Sequence, residues 1–401
     1  MLQKIKKEIT IPGIVILLYG IIETLKYFRF ISEMFANSIG IIIGTFSFIY
    51  VLFKNKSNKF GLFFSFYLFY LLSGIISYAF NNNIDLIELL WPFFFLGIAA
   101  IILNNRVPPL LPRISFYIFT LSAIYFLFIK GLRIFDINTN ESRNYCSVYT
   151  LSLYGLYVIS RFQNKITDVP WIESIITWFV CVLALGRGGI ISSSLLLFLL
   201  MVYQIRKKSL TKILFQNGLI FIAVFVIVFL LFEKQLSGLI SYTSGYIDYA
   251  VSYFEERQLE GSRGRLWTDY VNKILDSPLS ILVAPSISGT ALLEEYSNNL
   301  HNSFIMMYAR FGTLFFVFVI YKIICSFRAL YKHKSTILMI VLLIACLRSF
   351  TDVIAFNGVM DILFYYFIFY PDFYNRHTKL RLFGKERQFF KYSREISNAN
   401  I

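Results

Sequence analysis

The sequence predicts an all-α polytopic membrane protein: one integral membrane domain over residues 1–401, with about twelve transmembrane helices. Three observations carry this prediction. The chain is 57% hydrophobic and only 15% charged, whereas soluble domains are about 25% charged. Apolar runs of roughly 20 residues, the length that crosses about 30 Å of hydrocarbon, recur along the whole chain. The Lys and Arg residues concentrate in alternate connecting segments, as the positive-inside rule requires.

The elements follow in chain order. Spans are expected at about 10–27, 36–53, 60–80, 87–103, 114–130, 145–160, 169–185, 189–205, 213–232, 303–325, 336–349 and 354–370. The first carries Glu23 and Lys26 and lacks a small-residue cleavage site, so it reads as a retained span. With the N-terminus inside, the inner segments hold 25 of the 38 Lys and Arg residues. They run from Lys4, Lys6 and Lys7 through Arg206, Lys207 and Lys208 to seven in the tail between Arg376 and Arg394. Twelve spans return the C-terminus to the same side and make 371–401 a basic cytoplasmic tail suited to anionic lipid. The net charge of +15 is then mostly topology, and no nucleic-acid partner is expected.

Most outer segments are short, about 28–35, 81–86, 131–144, 186–188 and 350–353. The exception is 233–302, a large loop between spans nine and ten, and long loops of this kind are usually functional. It contains the helical stretch "SRGRLWTDYVNKILDSP", with an apolar stripe at Trp267, Tyr270, Val271, Ile274 and Leu275. Pro278 should end it. Such a helix is expected on the membrane surface, apolar face down.

Soluble-enzyme motifs are absent from the sequence. Cys146, Cys181, Cys325 and Cys346 have no metal-like spacing, and no CxxC, HExxH, P-loop or dinucleotide-type glycine pattern occurs. The informative residues are charges next to apolar runs. Arg187 sits in "LALGRGGIISSSLLLFLL", where a charge at a helix centre would cost roughly 2.5–3.5 kcal/mol. A turn between spans needs the glycines of "GRGG" but not an arginine, so Arg187 is a candidate anion ligand. Arg257, Arg310 and Arg348 have the plainer reading of snorkelling or pairing with an acid, and Asp352 stands close behind Arg348. His301 is one of three histidines and the one expected outside. It opens span ten as "NNLHNSFIMMYARFG", where a neutral imidazole can accept a proton.

Three pieces in order resemble the bacterial O-antigen polymerase and O-antigen ligase superfamily. They are "LALGRGGIISS", "GSRGRLWTDYVNKILDSPL" and "LHNSFIMMYARFGTLFFV", covering about residues 183–318. They resemble that family's Arg-Gly turn, its Arg-x-x-x-Trp helix followed by Pro-Leu, and its His-Asn opening. The sequence departs from the family after Pro-Leu, reading "SPLSILVAPSISG" where Gly-x-Gly is usual. The resemblance implies a multi-pass enzyme of the bacterial inner membrane, with both termini cytoplasmic and its site on the periplasmic face. Its substrates would be undecaprenyl-diphosphate-linked glycans among the membrane lipids. A chain-length regulator and a flippase would be its partners in the cell.

Residue by residue, the resemblance makes Arg187 and Arg263 diphosphate ligands and His301 a catalytic candidate. Arg265, Asn302, Trp267 and Arg310 are candidate contacts to the diphosphate or the glycan. The chemistry suits these residue types. A diphosphate leaves an anomeric carbon as an anion, which the planar two-pronged guanidinium stabilises better than an ammonium. The attacking hydroxyl needs a proton acceptor. The outer loops lack a carboxylate pair of the kind a divalent metal needs, so metal-independent, cofactor-free inverting glycosyl transfer is expected. Two reactions fit: polymerisation onto a new lipid-linked repeat unit, which the Phe-, Tyr-, Ile- and Asn-rich composition favours, and ligation onto lipid A core. A lipid-linked-sugar flippase is the rival class, but its outer loops should be short.

Overall fold

The computed structural model describes residues 9–54, 60–129, 144–206, 262–289, 293–294, 299–356 and 358–373. Span nine, most of the loop before residue 262 (Arg257 included) and the basic tail lie outside the described residues.

Among the described residues the chain is all-helical. In order come α1 (Ile11–Tyr27), α2 (Glu33–Lys54), α3 (Phe60–Asn81) and a 3-10 turn (Leu86–Leu90) running into α4 (Trp91–Asn104). They are followed by α5 (Leu110–Ile124), α6 (Asn144–Gln163), α7 (Trp171–Leu183) and α8 (Arg187–Arg206). Then come α9 (Ser262–Leu275), α10 (Pro278–Val283), α11 (Ser303–Lys332) and α12 (Thr336–Phe350). A last helix, α13, covers 361–373. Among the described residues, six stretches are long and apolar enough to cross a membrane: Glu33–Lys54, Phe60–Asn81, Leu86–Asn104, Leu110–Leu127, Arg187–Arg206 and Ser303–Lys332. Their outer sides leave large apolar residues such as Ile42, Phe53, Phe198 and Leu314 exposed, as lipid-facing helices do.

The core is built on α6 and α13. From Cys146 to Ser160, α6 is buried on all sides, and α13 is buried almost throughout, the pattern of helices surrounded by other helices. Buried hydroxyls on α6 bond locally or to neighbouring segments: Thr150 to the Cys146 carbonyl at 2.8 Å and Ser152 to the Val359 carbonyl at 3.1 Å.

Small residues permit the closest approach, between α2 and α4. A Cβ placed on Gly97 would lie 2.4 Å from the Gly44 carbonyl oxygen and 2.8 Å from the Gly44 Cα. Backbone against backbone cannot yield, and small residues four apart (Gly40 and Gly44) are the usual means of such contact in membranes. Gly97→Ala is therefore expected to cost at least the ~1–3 kcal/mol of an overpacked core. Gly61→Ala, with open space around it, is the control. Thermal unfolding in detergent checks this, and a wild-type melting temperature for Gly97→Ala would mean that the two helices do not touch.

The helix ends form two rims. At one, Lys54 reaches Asn105 (3.1 Å), Arg106 reaches Asn164 (2.8 Å), Arg161 pairs with Asp168 (2.7 Å) and Lys322 with Asp372 (2.6 Å). At the other, the Asn83 side chain meets the Ile287 amide, Tyr145 meets Val353, and Ser303 meets Asp352. The first group joins segments expected inside and the second joins segments expected outside.

Three elements differ from the sequence expectation. Span ten is not one straight helix: Gly312, at φ 73° and ψ 179°, breaks α11 after its second turn. The α10 backbone occupies the break, with the Leu282 carbonyl 2.8 Å from where a Gly312 Cβ would be. Span twelve begins late, because 354–356 and 358–360 are mostly buried but not helical and α13 starts only at 361. The stripe on α9 is shifted. Leu266 and Tyr270 are the buried pair, flanked by Trp267 and Ile274, whereas Val271 (44% exposed) and Leu275 (68% exposed) face outward. That face packs on Ile287, Leu293, Leu300, Met306 and Ala309, so its apolar side is covered by protein and not by a membrane surface. α9 does end before Pro278, which starts α10 behind a Ser277 cap.

Candidate active site

The second rim gathers the ends of α6, α8, α9, α11 and α12. His301 stands just before α11, in the left-handed region at φ 49°, which histidine tolerates better than most residues. Its amide donates to the Asn299 side chain at 2.8 Å. Asn302 then caps α11, its Oδ1 accepting from the Phe304 and Ile305 amides at 2.9 and 3.1 Å. Asn302 is buried and its carbonyl oxygen is committed to the helix, so its place is support for His301.

Ser303 fixes what lies opposite. Its hydroxyl donates to the Asp352 carbonyl at 2.7 Å and accepts from the Ile354 and Ala355 amides at 2.8 and 3.2 Å. One small buried side chain thus pins the segment after α12 to the start of α11. The result is a pairing across 51 residues. His301 Nδ1 lies 3.7 Å from Asp352 Oδ1, with the histidine side chain 24% exposed and the aspartate 5%. Asp352 Oδ2 lies 3.8 Å from Arg348 Nη2, and the Arg348 side chain is fully buried. Arg348 also donates to Thr351 Oγ1 at 2.9 Å and to Ser147 Oγ at 3.4 Å.

The charges agree with that geometry. Burial alone would raise the Asp352 carboxyl, but the His301 ring and the Arg348 guanidinium outweigh it and hold it below the usual carboxylate range. Asp352 is therefore an anion wherever an imidazole titrates. A carboxylate beside Nδ1 favours the tautomer with its proton there, leaving Nε2 as the acceptor.

Arg187 is joined to this cluster through the backbone. The left-handed residue at the turn is Leu185, φ 53°, and not a glycine of "GRGG"; Arg187 is the first residue of α8. The glycines serve contact instead. A Cβ on Gly188 would meet Thr351 Oγ1 at 2.5 Å and Arg348 Nη1 at 3.3 Å, and one on Gly189 would meet Ser147. Arg187 thus begins a helix seated on the residues next to Asp352, and its N-terminal amides add positive potential there.

The α9 candidates arrive through Trp267, whose indole N–H donates to the Leu300 carbonyl at 2.8 Å. Trp267 ties the helix to the residue before His301. Arg265 is exposed on the first turn of α9. Arg263 lies on the same turn, and its side chain is outside the described residues. Arg310 stands apart from the group: it pairs with Glu88 at 3.4 Å, two residues before the α11 break, which accounts for its charge without a ligand.

Among the described residues no three His, Cys, Asp or Glu side chains converge as metal ligands. Asp352 and Ser303 are the members that the sequence did not nominate. The only signals were the Arg348–Asp352 spacing of four and the serine two residues after His301. No protein-family model, curated protein or solved structure matches the chain.

Proposed function

We propose that this chain is a membrane glycosyltransferase that polymerises lipid-linked glycan repeats, with His301 as the general base at a rim facing the periplasm of a bacterial inner membrane. The observation that carries the reading is the His301–Asp352 pair at 3.7 Å, held by Ser303 and Arg348 beside the helix that Arg187 begins. A partly exposed imidazole oriented by a buried carboxylate is the arrangement of a proton acceptor. An arginine at a helix N-terminus beside it suits an anionic leaving group.

The step balances with few parts. The acceptor hydroxyl attacks the anomeric carbon of the donor glycan, and the bond from that carbon to the diphosphate oxygen breaks. His301 Nε2 takes the hydroxyl proton. The electron pair leaves with the polyprenyl diphosphate, whose charge Arg187 and Arg263 offset. One face of the carbon is attacked as the other is vacated, so configuration inverts.

The full-length protein in nanodiscs, given a synthetic polyprenyl-diphosphate-linked repeat unit, should build a ladder of longer glycans and release polyprenyl diphosphate. Arg187→Lys should be poorly active at equal protein level, because an ammonium cannot make the two-pronged contact. Transfer to lipid A core without a ladder would make the chain the ligase. Passage of the substrate across the bilayer without bond formation would make it a transporter.

A further inference from the structure

We infer that a second cavity at the same rim, between the ends of α1, α2, α4 and α6, is a subsite for one sugar ring of the substrate glycan. The inference rests on the glycan-transfer reading and gives the glycan a second point of attachment beyond the His301 centre.

The cavity holds about 260 Å³ and is lined by Lys26, Glu33, Asn37, Trp91 and Tyr145, with Tyr149 among the buried residues. Lys26 Nζ lies 3.5 Å from Glu33 Oε1 and donates to Asn37 Oδ1 at 3.5 Å. The Lys26 side chain is itself mostly buried. These groups select a ligand class by exclusion. A hydrocarbon tail would leave an ammonium and a carboxylate against apolar atoms. A diphosphate needs net positive charge, and here Glu33 cancels Lys26. What remains is an uncharged, polyhydroxylated ring. One face of such a ring is C–H and suits an aromatic wall, and its hydroxyls both donate and accept, as ammonium, amide, carboxylate and phenol require together. A few convergent polar groups in an otherwise aromatic cleft are the usual make-up of a small-molecule site.

Position ties the cavity to the reaction. Tyr145 lines it and donates to the Val353 carbonyl at 3.2 Å, the residue after Asp352. Gly358 and Val359 also line it, so the segment that carries Asp352 at one end forms a cavity wall at the other. That wall is pre-formed, because the Val359 carbonyl accepts from Tyr19 at 3.3 Å and from Ser152 at 3.1 Å. A glycan reacting at His301 can run along 353–359 and seat a further ring here. The ring belongs either to the growing donor chain or to the incoming repeat unit, and the kinetic arm below separates the two.

The probe is the free repeat-unit oligosaccharide released by mild acid from the host's lipid-linked precursor, offered to the full-length protein in nanodiscs. Saturation-transfer NMR reads its binding. Trp91→Ala should weaken binding about tenfold and Trp91→Phe much less, with Asn37→Ala in between. Gly61→Ala, with open space around it, should bind like the parent. In turnover, Trp91→Ala should raise a KM more than it lowers kcat. A rise for an acceptor capped at its anomeric carbon, which cannot donate, assigns the ring to the incoming unit; a rise for the lipid-linked donor assigns it to the growing chain. Unchanged oligosaccharide binding and unchanged KM in Trp91→Ala, with the parent polymerising normally, would reduce the cavity to a hydrated void and leave the glycan-transfer reading standing. A parent that neither binds the oligosaccharide nor extends a glycan would overturn both.

Discussion

His301→Ala should fold and bind its donor while glycan synthesis falls about 10²–10⁴-fold, the usual contribution of a positioned base. The residue stands in the left-handed region, φ 49°, so alanine adds backbone strain as well as removing the ring. His301→Asn separates these effects: asparagine accepts that backbone conformation and still hydrogen-bonds, but it cannot take up a proton. His301→Asn and His301→Gln should both be as inactive as His301→Ala. The parent should also lose activity in acid, because a protonated base cannot take up the hydroxyl proton. Asp352 cannot be the source of that acid limb. Its carboxyl lies below the usual carboxylate range, so what it contributes to stability is complete above that range and disappears only as pH drops below it. Steady-state rates of purified protein across pH, with folding checked by gel filtration, decide the matter. If His301→Gln kept most of its activity and the same acid limb, His301 would be structural and the base another group.

The sequence revealed several of the long apolar helices because hydropathy is a local property. The ends of α1, α2 and α3 fall within three residues of the apolar runs that announced them. What it concealed depends on partners. A lone glycine inside an apolar helix reads as tolerated, and only the α10 backbone lying against Gly312 shows why α11 breaks there. The run from 354 looks apolar apart from Asn357 and Gly358, a turn signal that the hydropathy reading passed over, and the helix waits until Asp361, which accepts the Phe356 and Gly358 amides at the start of α13. On α9, Val271 and Leu275 are as apolar as Leu266, and the choice of face was made by the segment it covers. The site divides in the same way. His301 and Arg187 stood out as charges or titratable groups against apolar surroundings. Asp352 was visible only as a neighbour of Arg348, since its partner lies 51 residues away and Ser303 makes the connection in three dimensions.

That connection gives Asp352→Asn two separable effects, both large. The first is on chemistry. An amide in place of the carboxylate can turn its NH₂ toward Nδ1, which then becomes the acceptor and sends the ring proton to Nε2, where a base must be empty. Exchanging the orienting acid for its amide in a Ser-His-Asp triad costs about 10⁴-fold, and a loss approaching that is expected here. The second effect is on the fold. Arg348 is fully buried and its carboxylate partner lies 3.8 Å away; removing one member of a buried pair typically costs about 3–5 kcal/mol. The double variant Arg348→Gln with Asp352→Asn should therefore melt above Asp352→Asn alone and remain as inactive, since repairing the buried charge does nothing for the ring. Thermal melts and initial rates on the parent, both single variants and the double variant measure the two couplings separately. If Asp352→Asn matched the parent in both, the carboxylate would neither orient His301 nor neutralise Arg348. If the double variant recovered activity along with stability, Asp352 would matter only as a counter-ion, and His301 would have to be oriented by something else.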